Sequence, residues 1–187
     1  RGLGDVYKRQ VQTLLKKASA LDIKTICPLH GPVLSDNLGY YLDLYNTWSS
    51  YQPESKGVFI AYASIHGNTA YAAEQFAEML RNKGVDNVVI TDLSRCDIAE
   101  AVEDAFRYDR MVLAAASYDA GVFPIMQDFL HHLQAKAFQN RTVGLIENGS
   151  WAPTAAKTMR NILETMKNIT IVEPCLLYTS PSPRDTR

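Results

Sequence analysis

The chain has 187 residues, 47% of them hydrophobic and 21% charged, with a formal net charge of −1. That is enough apolar material for one sizeable core, and the charge balance gives no electrostatic case for nucleic acid or an anionic membrane as partner. No apolar run approaches the roughly 20 residues of a membrane span. Cys27, Cys96 and Cys175 lack CxxC spacing, which argues against a disulfide framework or a cysteine zinc site and for a reducing, cytoplasmic setting.

Both ends stand apart from the rest. RGLGDVYKRQ at the start and LLYTSPSPRDTR at the finish have no apolar periodicity and resemble translated sequencing adapter. Residues 1–10 and 175–187 are therefore expected to be non-native tails outside the fold, flanking a gene truncated on both sides. Val11 to Ile23 reads as a short helix with Leu14, Leu15 and Ala18 on one side. KTICPLHGPVL follows as a brief strand ending in a turn fixed by Pro28 and Pro32 around Gly31. Ser35, Asp36 and Asn37 offer caps to a helix carrying Leu38, Tyr41, Leu42 and Tyr45 at i, i+3, i+4 and i+7. The polar stretch from Ser49 to Gly57 reads as an interdomain linker, with residues 51–57 its core.

From there strands and helices alternate. Strands are expected at Val58–Ala63, Asn87–Thr91, Arg110–Ala116, Arg141–Ile146 and Ile169–Val172. Helices are expected at Asn68–Arg81, Asp97–Phe106, from Pro124 onward, and at Pro153–Lys167. Continuous apolar strands separated by amphipathic helices predict a doubly wound α/β domain over residues 58–174, with five parallel strands covered on both faces. The helix that should follow the fifth strand is absent from the sequence.

In such a sheet ligands bind outside the carboxyl ends of the strands, where three loops stand out. The first, Ser64-Ile65-His66-Gly67-Asn68-Thr69, offers two hydroxyls, a glycine and the free N–H groups of a helix start, all suited to a phosphate. It has no Lys or Arg, and GxxxxGK[ST] and GxGxxG are both absent, which disfavours a nucleoside triphosphate or a dinucleotide. The competing reading is an ordinary helix N-cap by Asn68 or Ser64. The second loop, Ser117-Tyr118-Asp119-Ala120-Gly121, combines an aromatic, an acid and a glycine. The third, from Glu147, contains Asn148-Gly149-Ser150-Trp151. Alone, the second reads as a common turn and the third as a tight turn followed by a partly buried capping Trp. Their convergence suits a phosphate carrying a flat conjugated ring.

This arrangement resembles flavodoxin-like FMN domains over about Gly57 to Pro174, with Ser64 to Thr69 matching the [TS]-x-[TS]-G-N-T pattern for the FMN phosphate. His66 departs from the simple flavodoxin consensus, although a bulky residue there occurs in one multidomain branch. CPLHGPV, followed by a helix with Tyr45 and Trp48 and then this module, resembles the junction of flavodiiron proteins. In that family a metallo-β-lactamase-like domain of αββα architecture, holding two irons, precedes the FMN domain. The resemblance implies that residues 11–50 are the end of that domain and that His30 matches its last histidine ligand, the other ligands lying upstream. It also implies FMN contacts from all fifteen residues named in the three loops from Ser64 to Thr69, Ser117 to Gly121 and Asn148 to Trp151. It further implies electrons passing from an external donor such as rubredoxin or a flavin reductase through FMN to the irons, where O2 or NO is reduced, and head-to-tail pairing of subunits. A stand-alone flavodoxin-type electron carrier with an unrelated leader is the alternative, and an FMN-less scaffold domain a third. His131 and His132, adjacent on a helix, cannot clamp a metal together. Cys96 reads as a packing residue.

Overall fold

The computed structural model describes residues 3–149, 153–172 and 175–177, with residues 3–7 and 175–177 traced as backbone. Two helices lead, α1 (Leu3–Ala18) and α2 (Leu38–Ser49). They are joined by Gln12, whose Nε2 donates to Asn46 Oδ1 at 2.9 Å and to Ser49 Oγ at 2.8 Å. The first helix begins at Leu3 rather than Val11, so part of the stretch expected outside the fold is helical. Its early turns have an aromatic platform: Lys8 Nζ lies 3.8 Å from the centroid of Tyr51 and 4.5 Å from that of Phe106. Burial, aided by the nearby Arg141 charge, lowers the Lys8 amine to about 8.

Between the two helices the expected strand reduces to one antiparallel bridge, Ile26 to Leu34, closed by two 2.9 Å backbone bonds. Pro28 and Pro32 remove the donors a longer ladder needs. Asn37 caps α2 in a left-handed conformation, φ 48°, without the side-chain bond its identity suggested.

The domain itself follows the predicted alternation. Its strands are β1 (Ser55–Ala63), β2 (Val88–Asp92), β3 (Tyr108–Tyr118), β4 (Gly121–Val122), β5 (Arg141–Asn148), β6 (Ile169–Ile171) and β7 (Cys175–Leu177). Its helices are α3 (Asn68–Asn82), α4 (Ile98–Arg107), α5 (Pro124–Ala135) and α6 (Ala155–Leu163). The main sheet is parallel in the order β2-β1-β3-β5-β6. β6 runs along the start of β5, and β7 pairs with its end, Ile146 to Asn148. That pairing draws Cys175–Leu177 into the sheet, against the expectation that the fold stops before it. The backbone groups at the end of β5 would otherwise lie unpaired.

Strand residues alternate between two cores. Phe59, Ala61 and Ala63 face α4, α5 and α6, among them Phe129, Leu130, Leu133, Met159 and Leu163. Val58, Ile60, Val112 and Ala114 face Ala73 and Ala77 of α3. Met126, Phe129, Leu130 and Leu133, spaced i, i+3, i+4 and i+7 along α5, are all fully buried.

The expected linker is docked rather than free. Ser55 to Gly57 already belong to β1, and Gly57 N donates to Asp109 Oδ1 at 2.7 Å. A Cβ at Gly57 would come within 2.7 Å of the Asn87 carbonyl and 2.8 Å of the Tyr108 ring, so only glycine fits. Tyr51 is buried at φ 60°, and its carbonyl accepts from Arg141 Nη1 at 2.9 Å. Arg141 is only 3% exposed. Its guanidinium also donates to the carbonyls of Tyr108 (2.8 Å), Phe106 (2.6 Å), Asn140 (3.1 Å) and Gln139 (3.2 Å). Burial lowers its pKa to about 10, so it stays charged at neutral pH while five carbonyl dipoles solvate it.

Candidate functional site

Three connections leave the sheet at the carboxyl ends of β1, β3 and β5, around the point where the order steps from β1 outward to β2 on one side and β3 on the other. Between them lies a cleft of about 520 Å³, within the size range of small-molecule and cofactor sites. Of the fifteen loop residues expected here, eleven line it: Ser64, Ile65, His66, Asn68, Thr69, Ser117, Tyr118, Asp119, Ala120, Asn148 and Gly149. Ala116 and Thr154, which sequence reasoning missed, line it too. Gly67 and Gly121 belong to the same turns without facing the cavity, while Ser150 and Trp151 lie outside the described residues.

The first wall is the turn from β1 into α3. Ser64 Oγ accepts the Gly67 N–H at 3.1 Å, so the hydroxyl shapes the turn instead of capping the helix. Gly67 is the N-cap at φ 89°, a left-handed conformation that disfavours any side chain. Steric room is not the constraint, because a Cβ there would meet nothing within 4 Å. Among the described residues no side chain caps α3, and its first turn carries no acid. The N-cap reading for Asn68 or Ser64 therefore fails. The first N–H groups of a helix 15 residues long point with the positive end of its dipole toward the cleft. Ile65, His66 and Asn68 are exposed, whereas Thr69 is 1% exposed.

The second wall is a hairpin that the sequence hid. β3 turns into β4 through Asp119 (φ 45°) and Ala120 (φ 56°), with Tyr118 paired to Gly121 and Ser117 to Val122. Positive φ at both central residues is the type I′ signature, whose usual marker is a glycine that this turn lacks. The Tyr118 ring stands edge-on to Phe123, centroids 5.7 Å apart, and remains 44% exposed over the cleft. Ser117, expected as a ligand contact, has its Oγ engaged elsewhere. It accepts from Thr154 N at 2.8 Å and Ala155 N at 3.2 Å, capping α6. Thr154 Oγ1 in turn donates to Gly121 O at 2.9 Å, which ties the hairpin to that helix.

The third wall is the end of β5. Glu147 and Asn148, expected in a loop, are the last residues of the strand and are buried. Glu147 Oε2 accepts from Ala156 N at 3.0 Å, placing its charge at the start of α6. Asn148 Nδ2 donates to Thr69 Oγ1 at 3.3 Å. Gly149 packs so closely that a Cβ would lie 3.1 Å from Ser117 Oγ and 3.2 Å from Pro153 Cα.

Other candidates lie apart from the cleft. His30 sits on an exposed turn, and among the described residues no group of three or more His, Cys, Asp and Glu could hold a metal. His132 Nε2 lies 3.6 Å from Asp128 Oδ2 on the surface of α5. Burial pushes the Cys96 thiol above its usual range, as befits a packing residue. No helix among the described residues is long and apolar enough to cross a membrane.

A doubly wound sheet in this order, with an open helix N-terminus and two further loops around one cleft, defines a class. The chain belongs to the Flavodoxin domain family, which matches it over residues 59–180. Within that class its likeness is to flavodiiron proteins. In sequence it is similar to the diflavin flavoprotein A 4 of Synechocystis sp., 28% identical over 160 residues, covering 83% of this chain and 26% of that protein. In fold it matches rubredoxin oxygen:oxidoreductase from Desulfovibrio gigas, with TM-score 0.82 and 20% identity over 96% of this chain and 45% of that one. It also matches a variant of the flavo di-iron protein from Thermotoga maritima, with TM-score 0.79 and 23% identity over 91% of this chain and 43% of the other. The chain spans less than half the length of each of these proteins.

Proposed function

We propose that the cleft binds FMN and that the chain is the flavin-carrying, electron-transfer part of a flavodiiron-type oxidoreductase whose diiron centre reduces O2 or NO. The observation that carries this reading is the open N-terminus of α3 facing a cleft bounded by two further strand-end loops. Its fit to FMN rests on donor chemistry: a turn with hydroxyls, free N–H groups and no acid suits a dianionic phosphate, and the exposed Tyr118 ring suits a flat conjugated partner.

When bound, FMN would supply the electron-transfer chemistry. The protein residues do the holding. Ser64, Gly67, Asn68 and Thr69 surround the phosphate end, with Ile65 and His66 on the same turn. The hairpin from Ser117 through Asp119 to Gly121, and the segment from Gly149 to Trp151, bound the ring. Asp119, exposed at the hairpin tip, disfavours negative charge on the ring and so lowers its potential. Asp119→Asn is expected to raise the FMN midpoint potential, measured by redox titration; an unchanged potential removes Asp119 from this role.

In the same reading residues 11–50 are the end of a diiron domain and His30 is one of its iron ligands. A rubredoxin-type protein or a flavin reductase is the donor, two chains pair head to tail, and the setting is cytoplasmic. The bond from Gln12 to α2 and the Arg141 grip on Tyr51 favour a native junction over a chance leader before a stand-alone carrier. The similarity to the Desulfovibrio protein over 96% of this chain, leader included, supports the same choice.

The direct test is titration of the purified chain with FMN, followed by flavin fluorescence. Saturable quenching is expected, and full fluorescence at excess folded protein overturns the reading.

A further inference from the structure

Asn148 is the residue whose neighbours do not match a ring contact. It is 7% exposed and lies at the end of β5, held by pairing with Ala116 of β3. Its amide Nδ2 is directed to Thr69 Oγ1 in the first turn of α3. Thr69 is 1% exposed and has no other side-chain hydrogen bond among the described residues. A hydroxyl has one proton and two lone pairs. With a lone pair occupied by the Asn148 amide, the Thr69 proton remains available for an acceptor beyond it, and α3 begins on the side of the cleft where an anion fits.

We propose that Asn148 is a positioning residue for the phosphate end of the site: by donating to Thr69 Oγ1 across the cleft floor it fixes that hydroxyl as a donor to a phosphate bound at the start of α3. This rests on the FMN reading and deepens it. It moves Asn148 from the ring, where the sequence put it, to the opposite end of the ligand. It also makes β5 and α3 a single phosphate-binding unit, because the group that orients the hydroxyl belongs to the third strand tip and the hydroxyl to the first.

The test compares two ligands that differ only in the phosphate. FMN and riboflavin are titrated against the full 187-residue chain and against Asn148→Ala, Thr69→Val and Thr69→Ser, with folding checked by thermal melting. Asn148→Ala is expected to weaken FMN about tenfold, the scale of one charge-assisted hydrogen bond, and to leave riboflavin within about twofold. Thr69→Val should do the same, Thr69→Ser should retain FMN binding, and the Asn148→Ala plus Thr69→Val double variant should lose little more than either alone. Parallel weakening of FMN and riboflavin by Asn148→Ala would make Asn148 a ring contact and overturn the proposal. So would unchanged affinity for both, or fully additive losses in the double variant. Wild-type chain that binds riboflavin but gains nothing from the phosphate overturns the proposal while leaving a flavin site standing. Folded wild-type chain that binds neither ligand overturns the FMN reading and the proposal with it.

Discussion

Two helices begin beside the same cleft, and they are finished in opposite ways. α6 is closed by its own protein: Ser117 Oγ accepts from Thr154 N and Ala155 N, and the Glu147 carboxylate accepts from Ala156 N. Among the described residues α3 starts from a glycine with no side-chain cap and no acid in its first turn. A helix N-terminus that the chain does not satisfy costs stability unless water or a ligand completes it, and placing an acid there is among the easiest stabilising changes available. The difference teaches where to look for a ligand. At α6 the positive end is neutralised for the sake of the fold, and at α3 it is left for something else.

The contrast can be broken from either side. The largest effect is expected from giving α3 an acid of its own. Asn68→Asp should weaken FMN by about 100-fold, the scale of like-charge repulsion and lost helix-dipole attraction together, while leaving the thermal midpoint unchanged or slightly raised. Fluorescence titration and melting of the same sample read both. Opening α6 should do the reverse. Glu147→Ala removes a buried acceptor and a helix-end charge, so unfolding free energy should fall by about 2 kcal/mol, and Ser117→Ala should cost about half as much. Denaturant melts measure these losses, and the phosphate contribution, read as the ratio of riboflavin to FMN dissociation constants, should stay fixed. A large change in that ratio would mean the two helix ends are not independent. The smallest effect concerns the hairpin between them. Ala120→Gly relieves a left-handed alanine and should stabilise by about 0.5 kcal/mol, the strain removed exceeding the entropy glycine adds to the unfolded chain.

The sheet and its cores were legible because burial on both faces leaves a strong trace. Val58 to Ala63 and Arg110 to Ala116 are near-continuous apolar runs, and the helix spacing of Met126, Phe129, Leu130 and Leu133 marked the buried side of α5. The three loops were legible as places but less so as roles. Ser117 is assigned to a ligand by its position after a strand, yet its hydroxyl caps a helix far along the chain, a partner no local pattern announces. The hairpin at Asp119 and Ala120 escaped because its backbone takes a glycine conformation without a glycine. The short bridge near His30 shows the converse, an apolar run that two prolines keep from becoming a strand. Arg141 looked like any charged residue opening a strand, since its role depends on carbonyls from three separate stretches meeting at one point.

That meeting point lies at the foot of β5, the end of the sheet remote from the cleft. One guanidinium there stitches the segment following α2 to the α4–β3 corner and to the turn before β5. The stretch that leaves the two leading helices is thereby moored to the base of the sheet by a buried cation, so the passage from helices to flavodoxin domain is a fastened seam and not a slack tether.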